Sequence, residues 1–190
     1  MKILKLSLVV VLFITALLTS CEGNKKSAAE SIVVDNQVSA VPSSFGKIKF
    51  NNAYTGFKFA DTSLSKYIFT KNGPADAKSA IPVSGFYITT LENMGYKEAV
   101  SYLVDLSLDY RNKENVVFVS EIMRASEYVN KNAAQFHRFT VEEKNNIKAD
   151  VLQGIISKGK NSILFIGYGL EGEDLKEKLL ATFKSIDIQQ

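Results

Sequence analysis

The sequence predicts an α+β domain, a mainly antiparallel β-sheet flanked by helices. Three observations carry this reading. Residues 135–168 hold three strand-like runs joined by short polar turns, and strands joined so tightly pair antiparallel. Two other segments, residues 96–110 and 175–186, repeat their apolar residues at helical spacing. Each such helix has one apolar stripe, which needs a sheet face to cover it.

From Phe45 the chain reads as globular. Phe45, Lys47 and Lys49 alternate with Gly46, Ile48 and Phe50, and Phe57 and Phe59 flank Lys58; both runs have strand period. Residues 61–80 are mostly polar or small, include Gly73-Pro74, and read as loop with a turn of helix near residues 63–67. Residues 81–90 are strand-like, and Pro82 suits only their first positions or an edge. Tyr96, Ala99, Val100, Leu103, Leu106 and Tyr110 then fall on one helical stripe that begins after Gly95.

Residues 116–123 return to strand composition. Asn130-Lys131-Asn132 is a turn, residues 135–141 alternate with His137, Phe139 and Val141 on one side, and Lys144-Asn145-Asn146 is the next turn. Residues 147–156 form a strand with Gly154 as a candidate bulge, and residues 157–161 a hairpin loop. The most hydrophobic strand, residues 162–168, follows. In the last helix Leu175, Leu179, Phe183 and Ile186 make the core stripe, while Lys176, Glu177 and Lys178 face outward.

This order resembles the PsbP-like α/β/α sandwich family over about residues 45–188. The resemblance rests on Gly56-Phe57-Lys58-Phe59, the middle helix, the late meander, and the strand at residues 162–168 followed by the helix at residues 173–185. It implies a sheet between helices. It also implies kinship with lipid-anchored and photosystem accessory proteins, generally without established catalysis, and it transfers no catalytic residue.

At the N-terminus, Lys2 and Lys5 precede an apolar run at residues 6–18, which ends in Leu18-Thr19-Ser20-Cys21. The run is shorter than the ~20 apolar residues a transmembrane helix needs. The segment resembles the lipobox signal peptide of bacterial lipoproteins; an ordinary signal peptide or an uncleaved anchor are the alternatives. The resemblance implies lipidation of Cys21 by a thioether-linked diacylglycerol, cleavage before it, and usually an acylated amine. The expected location is the cell envelope, lipid-anchored to a bacterial membrane on its periplasmic side or at the outer membrane.

Cys21 is the sole cysteine, so no disulfide forms within the chain. Cleavage would remove two lysines and no acid, taking the formal charge from +3 to +1. A balance so near neutral excludes a nucleic-acid binder, which carries a basic stripe. Residues 22–44 are rich in Ser, Ala, Lys and Asn and read as a tether of roughly 25 Å mean span. The alternative is that Ile32-Val33-Val34 adds an edge strand. The expected organisation is a signal peptide (1–20), a lipidated N-terminus and tether (21–44), and one globular domain (45–190).

Few residues offer chemistry. Gly167-Tyr168-Gly169-Leu170-Glu171-Gly172 matches the dinucleotide fingerprint G-x-G-x-x-G between a strand and a helix. The βαβ context fails, because no second parallel strand follows. Glu171 and Glu173 also set negative charge where a pyrophosphate would sit. His137 is the single histidine and is expected as a partly exposed or hydrogen-bonded sheet residue; alone it cannot supply the ligand cluster zinc prefers. Glu142 and Glu143 are adjacent on a strand and face opposite sides. Glu171, Glu173 and Asp174 lack the spaced oxygen ligands of a calcium loop. The sequence therefore points to no catalytic residue, no cofactor and no metal.

Tyr54, Phe57, Tyr67 and Tyr87 lie among glycine and polar residues and are the candidate lining of a ligand cleft. The expected function is a non-catalytic, membrane-anchored binding or assembly module that engages an envelope protein or a small ligand. Two other readings stand beside it. One is an envelope hydrolase using paired carboxylates. The other is a carrier of a small apolar ligand between sheet and helix.

Overall fold

The computed structural model describes residues 33–34, 38–63, 65–78 and 83–189. Its centre is the expected meander: β9 (Asn132–Glu143), β10 (Lys148–Lys158) and β11 (Asn161–Leu170) pair antiparallel in sequence. The hairpin joining β10 and β11 turns at Gly159 and Lys160 alone, with Gly159 at φ 62°. Before β9 the turn is Asn130-Lys131, both at positive φ (47° and 68°), the geometry a tight hairpin demands.

Around the meander an eight-stranded sheet runs in the order β4-β5-β6-β11-β10-β9-β7, with β8 also on β9. Its other strands are β4 (Lys58–Ser63), β5 (Lys66–Thr70), β6 (Gly85–Leu91), β7 (Val116–Val119) and β8 (Met123–Val129). Helix α1 (Tyr96–Asp109) covers one face, its Ala99 and Leu103 packing on Ile155, Leu164 and Ile166. Helix α2 (Lys176–Lys184) lies on the other, with Leu175, Leu179, Phe183 and Ile186 buried as the stripe predicts.

A second, four-stranded sheet shares the α2 side. It orders β1 (Val33–Val34), β2 (Val38–Ser43), β3 (Gly46–Asn51) and β12 (Asp187–Gln189), so the two ends of the domain meet on β3. Among the described residues the architecture is thus a mostly antiparallel sheet structure with two α-helices, more sheet-dominated than an α/β/α sandwich. Val41, Ile48 and Ile188 of the small sheet close the main core over Phe50, Phe69, Phe86 and Phe165. Within it Phe86 stacks between Phe69 and Phe165 at centroid separations of 4.9 and 5.0 Å.

Four expectations are corrected. The tether does not extend to residue 44: Val38–Ser43 is a strand with Ala40 and Val41 buried, and Val33–Val34 is the edge strand held open as an alternative. Among the described residues β1 reaches only as far as Ala40 on β2, and Pro42 stands two residues beyond it. Residues 61–70 are not loop and helical turn but the β4–β5 hairpin, which Ser65 turns at φ 62° without the glycine or asparagine that usually marks such a site. Gly154 is no bulge, since the β10 register runs unbroken past it on both sides. Residues 116–123 divide into β7 and the start of β8, across a gap that Ser120 patches: its Oγ accepts from Thr140 N at 2.9 Å, and its own N–H donates to Thr140 O at 3.0 Å. The segment expected to be a signal peptide and Cys21 lie outside the described residues, as does the start of the strand expected at residues 81–90.

Candidate functional site

Along the α2-side face of the central strands the side chains change character. Ala134, Phe136, Leu152 and Ile156 are core, whereas farther along the same face stand Arg138, Thr140 and Glu142 on β9, opposite Leu152, Asp150 and Lys148 on β10. Only the first turn of α2 reaches this corner, through Lys176, Glu177 and Leu179, and no described residue of the small sheet lines it. Two depressions, with empty volumes of about 390 and 780 Å³, meet there over Thr140 and Asp150. Ser120, Glu121 and Met123 form one wall. The turn from Leu170 to Leu175, with Lys176, forms the other.

The floor is ordered by its own polar contacts. Thr140 Oγ1 donates to Asp150 Oδ1 at 2.9 Å. Arg138 Nη2 meets Glu177 Oε1 at 2.6 Å, and Lys148 Nζ meets Glu142 Oε2 at 3.6 Å. Exposed pairs of this kind contribute about 0–1 kcal/mol each, so they orient the surface more than they stabilise the fold. The groove presents cations (Arg138, Lys148, Lys176) interleaved with carboxylates (Glu121, Asp150, Glu171, Asp174). That pattern suits mixed polar contacts with a partner surface.

The four aromatics expected to line a cleft do not converge. Phe57 is core and stacks on Phe86 at 6.1 Å. Tyr67 packs on that same core, while Tyr87 points to the opposite face, beside α1 and beneath Lys66 Nζ, which lies 4.8 Å from its ring centroid. Tyr54 stands 46% exposed. The physical reason is strand period: Tyr67 pairs with Ile88, one residue on from Tyr87, so the two tyrosines fall on different sides of the sheet.

The glycine fingerprint is a packing device. A Cβ on Gly167 would stand 2.8 Å from Leu179 Cδ2, and one on Gly169 2.9 Å from Leu175 Cβ. Both glycines let α2 approach β11, and Gly172 turns the chain at φ +87°. Glu173 is drawn away from Glu171 and Asp174 by Ser84 Oγ, which donates to it, and by Lys71 at 3.5 Å.

His137 is fully buried on the α1 face, opposite Gln153. Its Nδ1 lies 2.7 Å from Ser107 Oγ and its Nε2 2.9 Å from Gln135 Nε2. Ser107 Oγ also donates within reach of Gln153 Oε1 (2.7 Å) and Leu103 O (2.8 Å). A serine and a histidine in contact evoke a nucleophile and its base. Here neither reaches solvent, and a glutamine stands where a triad would place an acid. Burial, reinforced by the nearby Arg124 charge, holds the imidazole down at about pKa 4, so it is neutral.

The sequence reading missed a second buried polar group. Glu143 faces the α1 side, opposite in direction to Glu142, and is 1% exposed. Burial and the Glu143 charge raise the Tyr110 phenol to about 12, and burial with the same charge raises Tyr168. Burial lowers Lys113, whose Nζ sits 3.9 Å from the Tyr110 ring centroid. No local pattern marked this cluster, because its members come from three separate elements. The groove had a signal: the alternate positions Arg138, Thr140, Glu142 and Lys148, Asp150 are polar on one face of both strands of a pair whose other half is core.

No protein-family model matches the chain, and no curated protein sequence matches it. Solved structures do. The cyanobacterial PsbP, CyanoP, of Synechocystis sp. PCC 6803 superposes with a TM-score of 0.56 at 12% identity, covering 90% of this chain and 98% of that one. A protein of Bacteroides thetaiotaomicron VPI-5482 gives 0.48 at 9% identity over 83% of this chain, which spans half (50%) of that protein's length. The Saccharomyces cerevisiae Ran-binding protein Mog1p gives 0.45 at 9% identity, covering 80% and 90%. The first of these defines the fold class: a PsbP-like fold, as the sequence pattern resembled.

Proposed function

We propose that this protein is a lipoprotein of the bacterial cell envelope, anchored through Cys21, and that it acts as a non-catalytic binding or assembly module. The observation that carries the binding role is the groove over Thr140 and Asp150, a polar corner on a face that is otherwise core. Its alternating charges suit a protein partner better than an apolar ligand, because charged groups lose solvation against an apolar surface. The lipobox-like residues 18–21 support the anchor. A single acyl chain binds a membrane marginally, and two or three hold durably.

Two measurements test the halves separately. Cys21→Ala is expected to abolish incorporation of radiolabelled lipid while the circular dichroism spectrum and melting temperature stay those of the wild type. Label entering the variant sinks the anchor. For the groove, Asp150→Lys places a fourth cation, between Arg138 and Lys148. A partner recovered from envelope extracts by the intact protein is expected to bind this variant about tenfold more weakly. Equal recovery by both proteins removes the groove from the binding role.

A further inference from the structure

The β7–β8 side of the large sheet ends in an open edge. Both strands pair only with β9, so their outer backbone groups have no strand partner among the described residues. Such edges template pairing with another chain unless charge, proline or cover blunts them. The opposite edge, β4, is packed by the 3-10 turn Gly73–Lys78: a Cβ on Gly73 would stand 3.0 Å from Phe59 O. Among the described residues no such cover lies along β8. It is long enough to pair, with seven residues, and it carries Tyr128 at 80% and Met123 at 63% exposure. Val117 and Phe118 continue the apolar edge on β7.

We propose that the occupant of this edge is a second copy of the chain, joined by antiparallel β8–β8 pairing about a two-fold axis at Ser126. Side-chain chemistry selects this register. In an antiparallel pair, opposed residues share a face, so a two-fold axis must pass through a residue. An axis at Glu127 would oppose two carboxylates, and one at Arg124 two guanidinium groups. An axis at Ala125 would set Met123 against Glu127. With the axis at Ser126, Met123 lies opposite Val129 of the second copy, whose side chain is buried in its own core, and Arg124 meets its Tyr128. Ala125 meets its Glu127, whose charge Lys184 already neutralises at 2.9 Å.

Every opposed pair is then compatible. Met123 and Val129 share the α2 side, and Arg124 and Tyr128 the α1 side, as their β9 partners fix. Each pair occurs twice, once on either side of the axis, which is the self-complementarity a two-fold interface requires. The Arg124–Tyr128 pairs bring a guanidinium onto an aromatic face. The proposal is independent of the lipid, and it shares Met123 with one wall of the groove.

The test is a charge swap at the axis, in the full-length chain. Ser126 is exposed, so Ser126→Asp and Ser126→Lys are expected to fold, with melting temperatures lowered by a few degrees at most through loss of the Ser126 hydrogen bond to Gln135. Two differently tagged wild-type copies are expected to co-purify, and light scattering to report two chains. Ser126→Asp alone, or Ser126→Lys alone, places like charges across the axis and is expected to lower co-purification about tenfold. Mixing the two variants is expected to restore it. A one-chain mass for the wild type up to the highest soluble concentration overturns the proposal, as does a mixture that recovers no more than either variant alone. Either result leaves the edge to a partner of different sequence.

Discussion

Acidification from pH 6.5 to pH 4 is expected to remove about 3 kcal/mol of folding stability through His137 alone. The imidazole has a folded value of about 4 against 6.5 in the open chain. Between those values the unfolded chain binds the proton and the folded one does not, so stability falls as the pH drops. The contribution is complete above pH 6.5, is lost progressively across the window, and is constant below 4. The cause lies in the geometry. Ser126 Oγ donates to Gln135 Oε1 at 3.2 Å, which turns the Gln135 amide nitrogen toward His137 Nε2. That ring nitrogen therefore accepts, and the single ring proton sits on Nδ1 against Ser107 Oγ. A second ring proton would face an N–H donor, with no solvent and with Arg124 nearby. Denaturant unfolding across this pH range checks it. The stability difference between wild type and His137→Gln should shrink by about 3 kcal/mol on acidification. A difference independent of pH would sink the account.

Gly154→Ala is expected to destabilise the domain by about 2–3 kcal/mol, a large effect for one added methyl group. A Cβ at this position would lie 2.4 Å from Phe183 Cε2 and 2.7 Å from its Cζ. Phe183 cannot swing aside: it is fully buried, in edge contact with Phe136 at 6.0 Å and tilted against Phe165 at 5.8 Å. The added carbon must therefore push α2 off β10 or force the ring out of its rotamer. Shortening the opposing side chain should relieve the clash. In a double-mutant cycle, Gly154→Ala is expected to cost at least ~1 kcal/mol less in a Phe183→Leu background than in the wild type. Additive costs in that cycle would show that the methyl group acts through something other than Phe183.

These two residues illustrate what a reader of the chain can and cannot see. Gly154 is conspicuous within an apolar strand, and a bulge is a sound local explanation for it. Its actual role needs Phe183, 29 positions later, and so depends on where α2 lands. His137 alternates in phase with Phe139 and Val141, so its inward direction was legible. Its partners were not: Ser107 comes from α1 and Gln153 from the next strand. The same holds for the groove. The polar alternation of Arg138, Thr140 and Glu142 is written in the sequence. That it faces an uncovered corner, and not a covered one, follows from the length and placement of α2. The four aromatics failed as a cleft because nearness in sequence says nothing about which side of a sheet two strands share.

By itself the sequence determined the elements whose signal is local and long. These are α1 and α2, whose stripes repeat over several turns, and the β9–β11 meander, whose turns are too short for any other pairing. Only the tertiary structure decided the small sheet, the β4–β5 hairpin and the site. β12 has three residues, too few to show a period, and it becomes a strand because β3 supplies its hydrogen bonds. Val38–Ser43 resembles a tether until Val41 finds the core. Strand formation between distant segments is stabilised by cross-strand bonds and shared burial, which belong to the pair and not to either segment alone.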